Sequence, residues 1–291
     1  MRSIPVSARL PVLVLALLVM MALPDLAYAQ GVVNHLYDKF QFGASAADVV
    51  LSSTFRIDNA DGTAGTEIDF GDLGISTSAF APAGAVSWRP GRRHELQLSY
   101  VYIKRTGGRV LTEDINFGDT TFTAGLRTDT RFSAPNLALM WRFAFMAKEK
   151  TQIGFQVGLG ALFFNIGIDA LASVSAGANS DSVQYSAEKS LTGPTASLGL
   201  FAAFRAGDHW YFGVNGGAIG AKVSGITATT WLGAADARYF FSDHWAAAAG
   251  WAINGIKISS DPNNDGSFID LGGSIKYSFQ VFRLGIIYAL H

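Results

Sequence analysis

The strongest constraint on this chain is a repeated alternation of apolar residues with small or polar ones. In the stretch NLALMWRFAF, every second residue is large and apolar, and these residues are Leu137, Leu139, Trp141, Phe143 and Phe145. The next stretch, QIGFQVGLGALF, repeats the pattern after the short charged segment MAKEKT. Because successive side chains of an extended strand point to opposite faces, this period of two predicts an antiparallel hairpin with one strongly apolar face.

The composition indicates where such strands are placed. Hydrophobic residues make up 49% of the chain and charged residues only 15%, with 32 glycines and 21 phenylalanines, whereas soluble domains carry about 25% charged residues. Glycine-rich and aromatic-rich strands of alternating hydrophobicity are typical of transmembrane β-barrels. The sequence has no cysteine, which excludes disulfides and thiolate metal sites. It also lacks the clustered basic face of nucleic-acid-binding proteins.

The first residues predict export. Two early arginines, an apolar run over residues 11–23 and small residues at Ala27 and Ala29 form a cleavable signal peptide, and the run is shorter than the roughly 20 residues of a spanning helix. The predicted organisation is a signal peptide over residues 1–29, a periplasmic N-terminal segment over residues 30–45 that can enter the lumen, and a transmembrane β-barrel over residues 46–291.

The alternating pattern predicts about ten strands, with eight or twelve as alternatives because the first and last patterns are the weakest. The predicted strands cover residues 47–57, 77–89, 94–105, 127–146, 151–169, 193–205, 209–222, 230–242, 245–258 and 274–290. Short turns near Pro90, Lys148, Gly207 and Asp243 alternate with longer polar segments. This asymmetry is typical of outer-membrane barrels, in which short turns are periplasmic and long loops extracellular.

The tryptophans fit the same picture, since amphipathic rings favour the membrane interface. The predicted interface girdle consists of Trp88, Trp141, Trp210, Trp231, Trp245 and Trp251.

The signal peptide, the repeated hairpins and the closing strand VFRLGIIYALH resemble those of small, monomeric bacterial outer-membrane β-barrel proteins. The resemblance is architectural and covers essentially the whole mature chain. It implies an up-and-down antiparallel barrel in the bacterial outer membrane, surrounded by membrane lipids and lipopolysaccharide, inserted by the barrel-assembly machinery and acting as a monomer. Such barrels usually end on an aromatic residue, whereas this chain ends on His291.

The tripeptide Asp-His-Trp occurs twice, in GDHWYFG and in SDHWAAA. Neighbouring side chains of an extended strand point to opposite faces, so neither Asp-His pair forms a catalytic dyad readily. Both copies, like His94, fall at predicted periplasmic turns, while His35 and His291 lie near the chain ends. Outer-membrane enzymes of the resembled kind act at the outer leaflet, where no histidine is predicted. We therefore expect no catalytic function and no cofactor.

Two acidic segments are weak candidates for cation binding. The loop DPNNDGSFID places Asp261, Asn263 and Asp265 at calcium-ligand spacing, but the bidentate acid required at the twelfth position is replaced by Gly272. We expect a tight loop there rather than a calcium site. The first long loop carries Asp58, Asp61, Glu67, Asp69 and Asp72, which we expect to be solvated, with a divalent cation site as the alternative.

The predicted lumen is basic. The charged residues assigned to inward positions are Arg56, Arg142, Arg205, Arg238, Asp236 and Arg283, with Glu95 or Glu149 as further acidic partners. Other inward positions are glycine or alanine, which leaves room for water, a solute path or the N-terminal segment. The leading hypothesis is a narrow porin-like channel with an arginine-lined periplasmic constriction. The alternatives are a closed structural or surface-interaction barrel displaying acidic loops and, third, an outer-leaflet lipid-modifying enzyme.

Overall fold

The computed structural model describes residues 33–58, 63–117, 119–176, 179–223, 226–260 and 273–291. One turn of 3-10 helix, His35–Tyr37, precedes the strands β1 Phe40–Ile57, β2 Ile68–Asp69, β3 Ser78–Gly91, β4 His94–Val101, β5 Lys104–Val110, β6 Ile115–Phe117, β7 Thr120–Phe122, β8 Arg127–Ser133, β9 Asn136–Lys148, β10 Thr151–Ala176, β11 Asn179–Ala206, β12 Trp210–Val223, β13 Ile226–Phe240, β14 Trp245–Ser260 and β15 Gly273–Leu290. Within the part of the chain that is described, no helix has the length and apolar character needed to cross a membrane.

Ten of these strands close into an antiparallel barrel. The wall follows the order β1, β3, β4, β9, β10, β11, β12, β13, β14 and β15, and β15 then pairs with β1. At the closure, Phe40 of β1 stands opposite Leu290 on one side and Trp88 on the other. The predicted fold class and the count of ten strands are confirmed.

The polarity of the wall is that of a membrane protein. Large apolar side chains are exposed on the outside, including Phe80 at 71%, Leu200 at 64% and Leu159 at 61%, whereas Gln152 and Gln156 inside the barrel are each only 1% exposed. Water would favour the opposite arrangement, so the outer surface is suited to lipid. The chain is therefore a transmembrane β-barrel.

The two ends of the barrel differ as the sequence predicts. Short turns join β3 to β4, β9 to β10, β11 to β12 and β13 to β14 at one end, where both chain termini of the described barrel also lie. In the β11–β12 turn, Gly207 has a φ of 67°, a left-handed conformation that favours glycine. The longer connections lie at the other end. We refer to these as the periplasmic and external ends.

Several strand boundaries differ from the predictions. The strand predicted over residues 94–105 ends at Val101, and its last two residues belong to β5. β1 begins at Phe40 rather than at residue 47, which moves the start of the barrel before residue 46. The strand predicted over residues 127–146 is two strands, β8 and β9, separated at Pro135, which has no amide hydrogen to continue the ladder. β10 and β11 extend well beyond the roughly 9–11 residues needed to cross a bilayer. A strand that has left the lipid needs no apolar face, so the alternating pattern does not predict the extra length.

The external half of the lumen is filled by a packed apolar core. Inward side chains of β1, including Val49, Leu51 and Phe55, meet Phe70 of the first long connection and Phe132 of β8. The rings of Phe132 and Phe70 are 4.7 Å apart, and those of Phe132 and Phe164 are 5.1 Å apart. We call this cluster the external core. One charged side chain is buried beside it, because Arg105, which stands opposite Phe132 in the β5–β8 ladder, is 4% exposed and donates to the carbonyl of Val49 over 2.6 Å.

Candidate functional site: a basic chamber beneath an N-terminal plug

Glu95 is the centre of a group of charged residues inside the periplasmic half of the barrel. Arg142 Nη1 donates to Glu95 Oε1 over 3.0 Å, and Arg89 pairs with the other carboxylate oxygen. Arg142 and Glu95 stand directly opposite each other on β9 and β4. The three side chains are between 12% and 16% exposed, so one buried carboxylate compensates two guanidinium groups.

A second ion pair lies on β13. Asp236 and Arg238 are two residues apart and therefore share the inward face, with Arg238 Nε 2.8 Å from Asp236 Oδ2. Arg238 also donates to Gln41 Oε1 of β1 over 2.9 Å. Gln156 links the groups further, because it accepts from Arg142 Nε at 3.3 Å and donates to Asn215 over 3.4 Å.

Arg283 completes this group from β15. It shares the inward face of β15 with Val281 and Ala289, which are buried, but its own side chain is exposed inside the barrel. Gly250 stands opposite it in the β14–β15 ladder. A Cβ at Gly250 would lie 2.6 Å from Arg283 Nε, so the glycine makes room for the guanidinium. We call Arg89, Glu95, Arg142, Asp236, Arg238 and Arg283 the basic chamber.

Four of the six predicted lumen residues belong to this chamber, namely Arg142, Asp236, Arg238 and Arg283. Arg205 also points inward but lies at the periplasmic turn, where it binds Asp208 at 2.7 Å and the carbonyl of Gly207 at 2.8 Å. The sequence analysis missed Arg89, although its position next to the outward Trp88 places it on the inward face.

The assignment of Arg56 to the lumen is wrong. In β1 the buried residues are Ser53, Phe55 and Ile57, so Arg56 lies on the outward face, where its Nε is 2.8 Å from Asp58 Oδ1. The apolar face of this strand packs into the external core rather than against lipid. Alternation alone does not show whether the apolar face of a strand contacts lipid or the interior of the barrel. Choosing the wrong environment exchanges the inward and outward assignments of every residue in the strand.

The N-terminal residues 33–39 occupy the periplasmic mouth, and we call them the N-terminal plug. Tyr211 receives a hydrogen bond from the backbone amide of His35 at 3.1 Å and donates to the carbonyl of Val33 over 3.2 Å. Gln152 donates to the carbonyl of Leu36 over 3.0 Å. Leu36 itself is buried against Tyr211 and Phe240, so the plug is held by both polar and apolar contacts.

The plug is also attached to the rim. Asn34 Nδ2 donates to the carbonyl of Glu149 over 2.6 Å, and the Tyr37 hydroxyl donates to the carbonyl of Lys148 over 2.5 Å, both in the β9–β10 turn. Between plug and chamber there is a cavity of about 50 Å³, enough for a few water molecules. The described N-terminal residues therefore lie in the mouth of the lumen.

The two Asp-His-Trp copies have matching contacts. His209 Nδ1 lies 2.8 Å from the carbonyl oxygen of Phe240, and His244 Nδ1 lies 2.9 Å from that of Ala289. Each histidine therefore binds the end of the neighbouring strand, and Asp208 binds Arg205. These contacts agree with an architectural role at the turns.

The tryptophans lie on the wall as expected for outward residues. Trp88, Trp231 and Trp245 are each 42% exposed and Trp251 is 38% exposed. Trp141 stacks on His94 at 5.9 Å, and Trp210 packs against Tyr239 at 5.0 Å. Their role as an interface girdle remains a prediction.

Acids of the first long loop are engaged by neighbouring residues. Asp58 receives hydrogen bonds from Arg56 and from the amide of Gly65. Glu67 accepts from Lys276 at 3.0 Å and from Thr54 at 3.1 Å, and the hydrogen bond from Lys276 lowers the pKa of Glu67. The weak calcium candidates Asp261, Asn263 and Asp265, and also Asp61, lie outside the described residues.

No family model and no curated protein matches this chain. Several solved structures are similar to it. A FadL homologue of Pseudomonas aeruginosa has 13% identity and a TM-score of 0.31, with 87% of this chain and 91% of that chain covered. The translocator domain of the autotransporter NalP from Neisseria meningitidis has 11% identity and a TM-score of 0.44, with 88% and 90% covered. The outer membrane protein OprG from Pseudomonas aeruginosa has 12% identity and a TM-score of 0.34, with 87% and 96% covered.

With its closed ten-stranded wall and lipid-facing exterior, this chain has the fold of an outer-membrane β-barrel protein.

Proposed function

We propose that the protein is a bacterial outer-membrane channel for small anionic solutes, closed in the conformation described, with the basic chamber as its constriction and no catalytic role. The observation that carries this proposal is the placement of the guanidinium groups of Arg142, Arg238 and Arg283 inside the wall. Arginine rings in a narrow lumen favour anions over cations.

The charge balance of the chamber supports anion preference. Four arginines, at positions 89, 142, 238 and 283, face two carboxylates, those of Glu95 and Asp236. The chamber therefore carries an excess of positive charge, and a low-dielectric wall strengthens its field. Gly213, opposite Asp236 in the β12–β13 ladder, leaves space beside this carboxylate, because a Cβ there would lie 2.8 Å from Asp236 Oδ1.

In this proposal the N-terminal plug is the periplasmic gate. Its contacts are hydrogen bonds, the burial of Leu36, and the contacts of His35 and Asp38 with the wall. None of them belongs to the strand ladder, so the plug can leave the mouth without disturbing the barrel wall. Passage also requires rearrangement at the external core, and in this proposal that rearrangement follows removal of the plug.

The test is planar-bilayer conductance of the refolded mature protein, with and without residues 33–39, after folding has been confirmed by heat-modifiable gel mobility. We expect low conductance from the intact protein and discrete anion-selective steps from the deletion. In the deletion background, Arg283→Gln should reduce anion selectivity, because Arg283 is exposed in the lumen. Arg56→Gln is the matched control, since Arg56 lies on the outward face.

A second candidate is a closed structural or surface-interaction barrel. It is favoured by the external core, whose members Phe55, Phe132 and Tyr277 are at most 2% exposed. Absence of conductance from both the intact protein and the plug deletion, each verified as folded, would exclude the channel and leave this second function. Unchanged selectivity in Arg283→Gln would exclude the chamber as the filter.

A further inference from the structure

The N-terminal plug and the end of β15 meet at the periplasmic mouth through His35, Asp38 and His291. Asp38 Oδ1 lies 2.8 Å from Nδ1 of His291, and Asp38 Oδ2 lies 3.1 Å from Nδ1 of His35. One ligand-type atom from each of the three residues lies within 4.8 Å of the others. The plug and the last residue of the chain therefore present two imidazoles and a carboxylate to one point.

We propose that His35, Asp38 and His291 form a binding site for a divalent transition metal ion, with Zn²⁺ as the best fit. Zinc binds imidazole nitrogen and carboxylate oxygen at about 2.0–2.2 Å, which places two ligands of a tetrahedral ion roughly 3.4 Å apart. The observed nitrogen–oxygen distances, 2.8 and 3.1 Å, need only a small expansion. Two imidazoles favour zinc, nickel or copper over calcium or magnesium, which prefer oxygen ligands.

The surroundings hold the ligands in position. The His35 ring stacks on Phe240 with centroids 3.5 Å apart and meets the edge of Tyr211 at 5.5 Å. The side chain of Asp38 is 1% exposed and also accepts a hydrogen bond from Gln41 at 3.0 Å. Such contacts outside the ligand set orient a carboxylate toward a metal.

The third ligand keeps the site open to the periplasm. The side chain of His291 is 34% exposed, and its ring stacks on His244 at 5.2 Å. An ion can therefore reach the site without removal of the plug, and water can occupy its fourth position. A bound ion would join the plug to the end of β15 and would stabilise the closed mouth, because it binds only when both are in place.

Without metal, the same atoms form a histidine–aspartate–histidine hydrogen-bonded contact. The metal-free contact and the metal site differ in a measurable way, because only the second binds an ion with defined stoichiometry. This inference concerns the residues at the mouth and does not rest on the proposed channel.

The test uses the refolded full-length mature protein without any affinity tag. Zinc content after dialysis and Zn²⁺ titration calorimetry should give one ion per chain. His291→Ala should weaken binding at least tenfold, and Asp38→Asn should do the same. His94→Ala is the matched control, because His94 is also at the periplasmic end but packs on Trp141, and it should retain wild-type affinity.

Because Asp38→Asn can disturb the plug, a second measurement uses only the intact protein and His291→Ala. Co²⁺ substitution should give the intense visible bands of a tetrahedral site in the intact protein and lose them in His291→Ala. Absence of stoichiometric Zn²⁺ binding, or equal binding by the intact protein and His291→Ala, would overturn the proposal.

Discussion

Replacing Glu95 with alanine should lower the free energy of unfolding by about 3–5 kcal/mol, the usual cost of removing one partner from a buried ion pair. Glu95 compensates both Arg89 and Arg142, and all three side chains are at most 16% exposed. The variant leaves two guanidinium groups in the lumen without their carboxylate. Urea-induced unfolding in lipid vesicles, followed by tryptophan fluorescence, measures the loss.

Two further variants make this result specific. Glu67→Ala removes an ion pair with Lys276 whose members are 53% and 52% exposed, and it should leave the urea midpoint nearly unchanged, since solvent screens exposed pairs. Replacing Glu95, Arg89 and Arg142 together with apolar residues should recover most of the lost stability. A Glu95→Ala protein as stable as the parent would show that the chamber carboxylate does not compensate the arginines.

Phe132→Ala should also lower the free energy of unfolding by about 3–5 kcal/mol, because it leaves a cavity in a packed core. Phe132 is 1% exposed and its ring contacts those of Phe70 and Phe164 at 4.7 and 5.1 Å. It also lies 6.3 Å from the ring of Tyr277, so its removal affects both β8 and the barrel wall. The same unfolding measurement applies.

Phe80→Ala is the matched control for the external core. Phe80 is 71% exposed on the outward face, where lipid replaces the lost ring and no internal cavity forms. Its effect should be clearly smaller than that of Phe132→Ala. Equal losses from the two variants would mean that the external core is not tightly packed, which would favour an open route through the external half.

The barrel could be predicted because the membrane imposes a simple rule on each strand. Lipid requires an apolar outward face over the whole span, so alternation appears directly in stretches such as residues 136–145. Where the outward residues are unmistakable aromatics, the inward ones follow, as for Arg142 beside Trp141 and Arg238 beside Tyr239. The four short turns fix four neighbouring strand pairs, and β1 and β15, which pair with each other, bring the count to ten.

The failures occur where the environment of a strand changes along its length. β1 passes from the periplasmic half of the lumen to the external core, and its buried face becomes apolar. Arg56 was therefore assigned to the wrong side. Beyond the predicted ends at residues 169 and 193, β10 and β11 continue as a paired ladder in a stretch whose sequence has no sustained apolar alternation, so the pattern does not predict it.

The sequence by itself determined the period of the strands and the apolar exterior, because both depend on residues close together in the chain. Only the tertiary structure decided the position of the plug and the contact of His291 with Asp38, which are 253 residues apart. Closure of the barrel brings the first and last strands together, and the plug then enters the space that the strands leave. Such contacts depend on the shape of the closed wall, which no local pattern encodes.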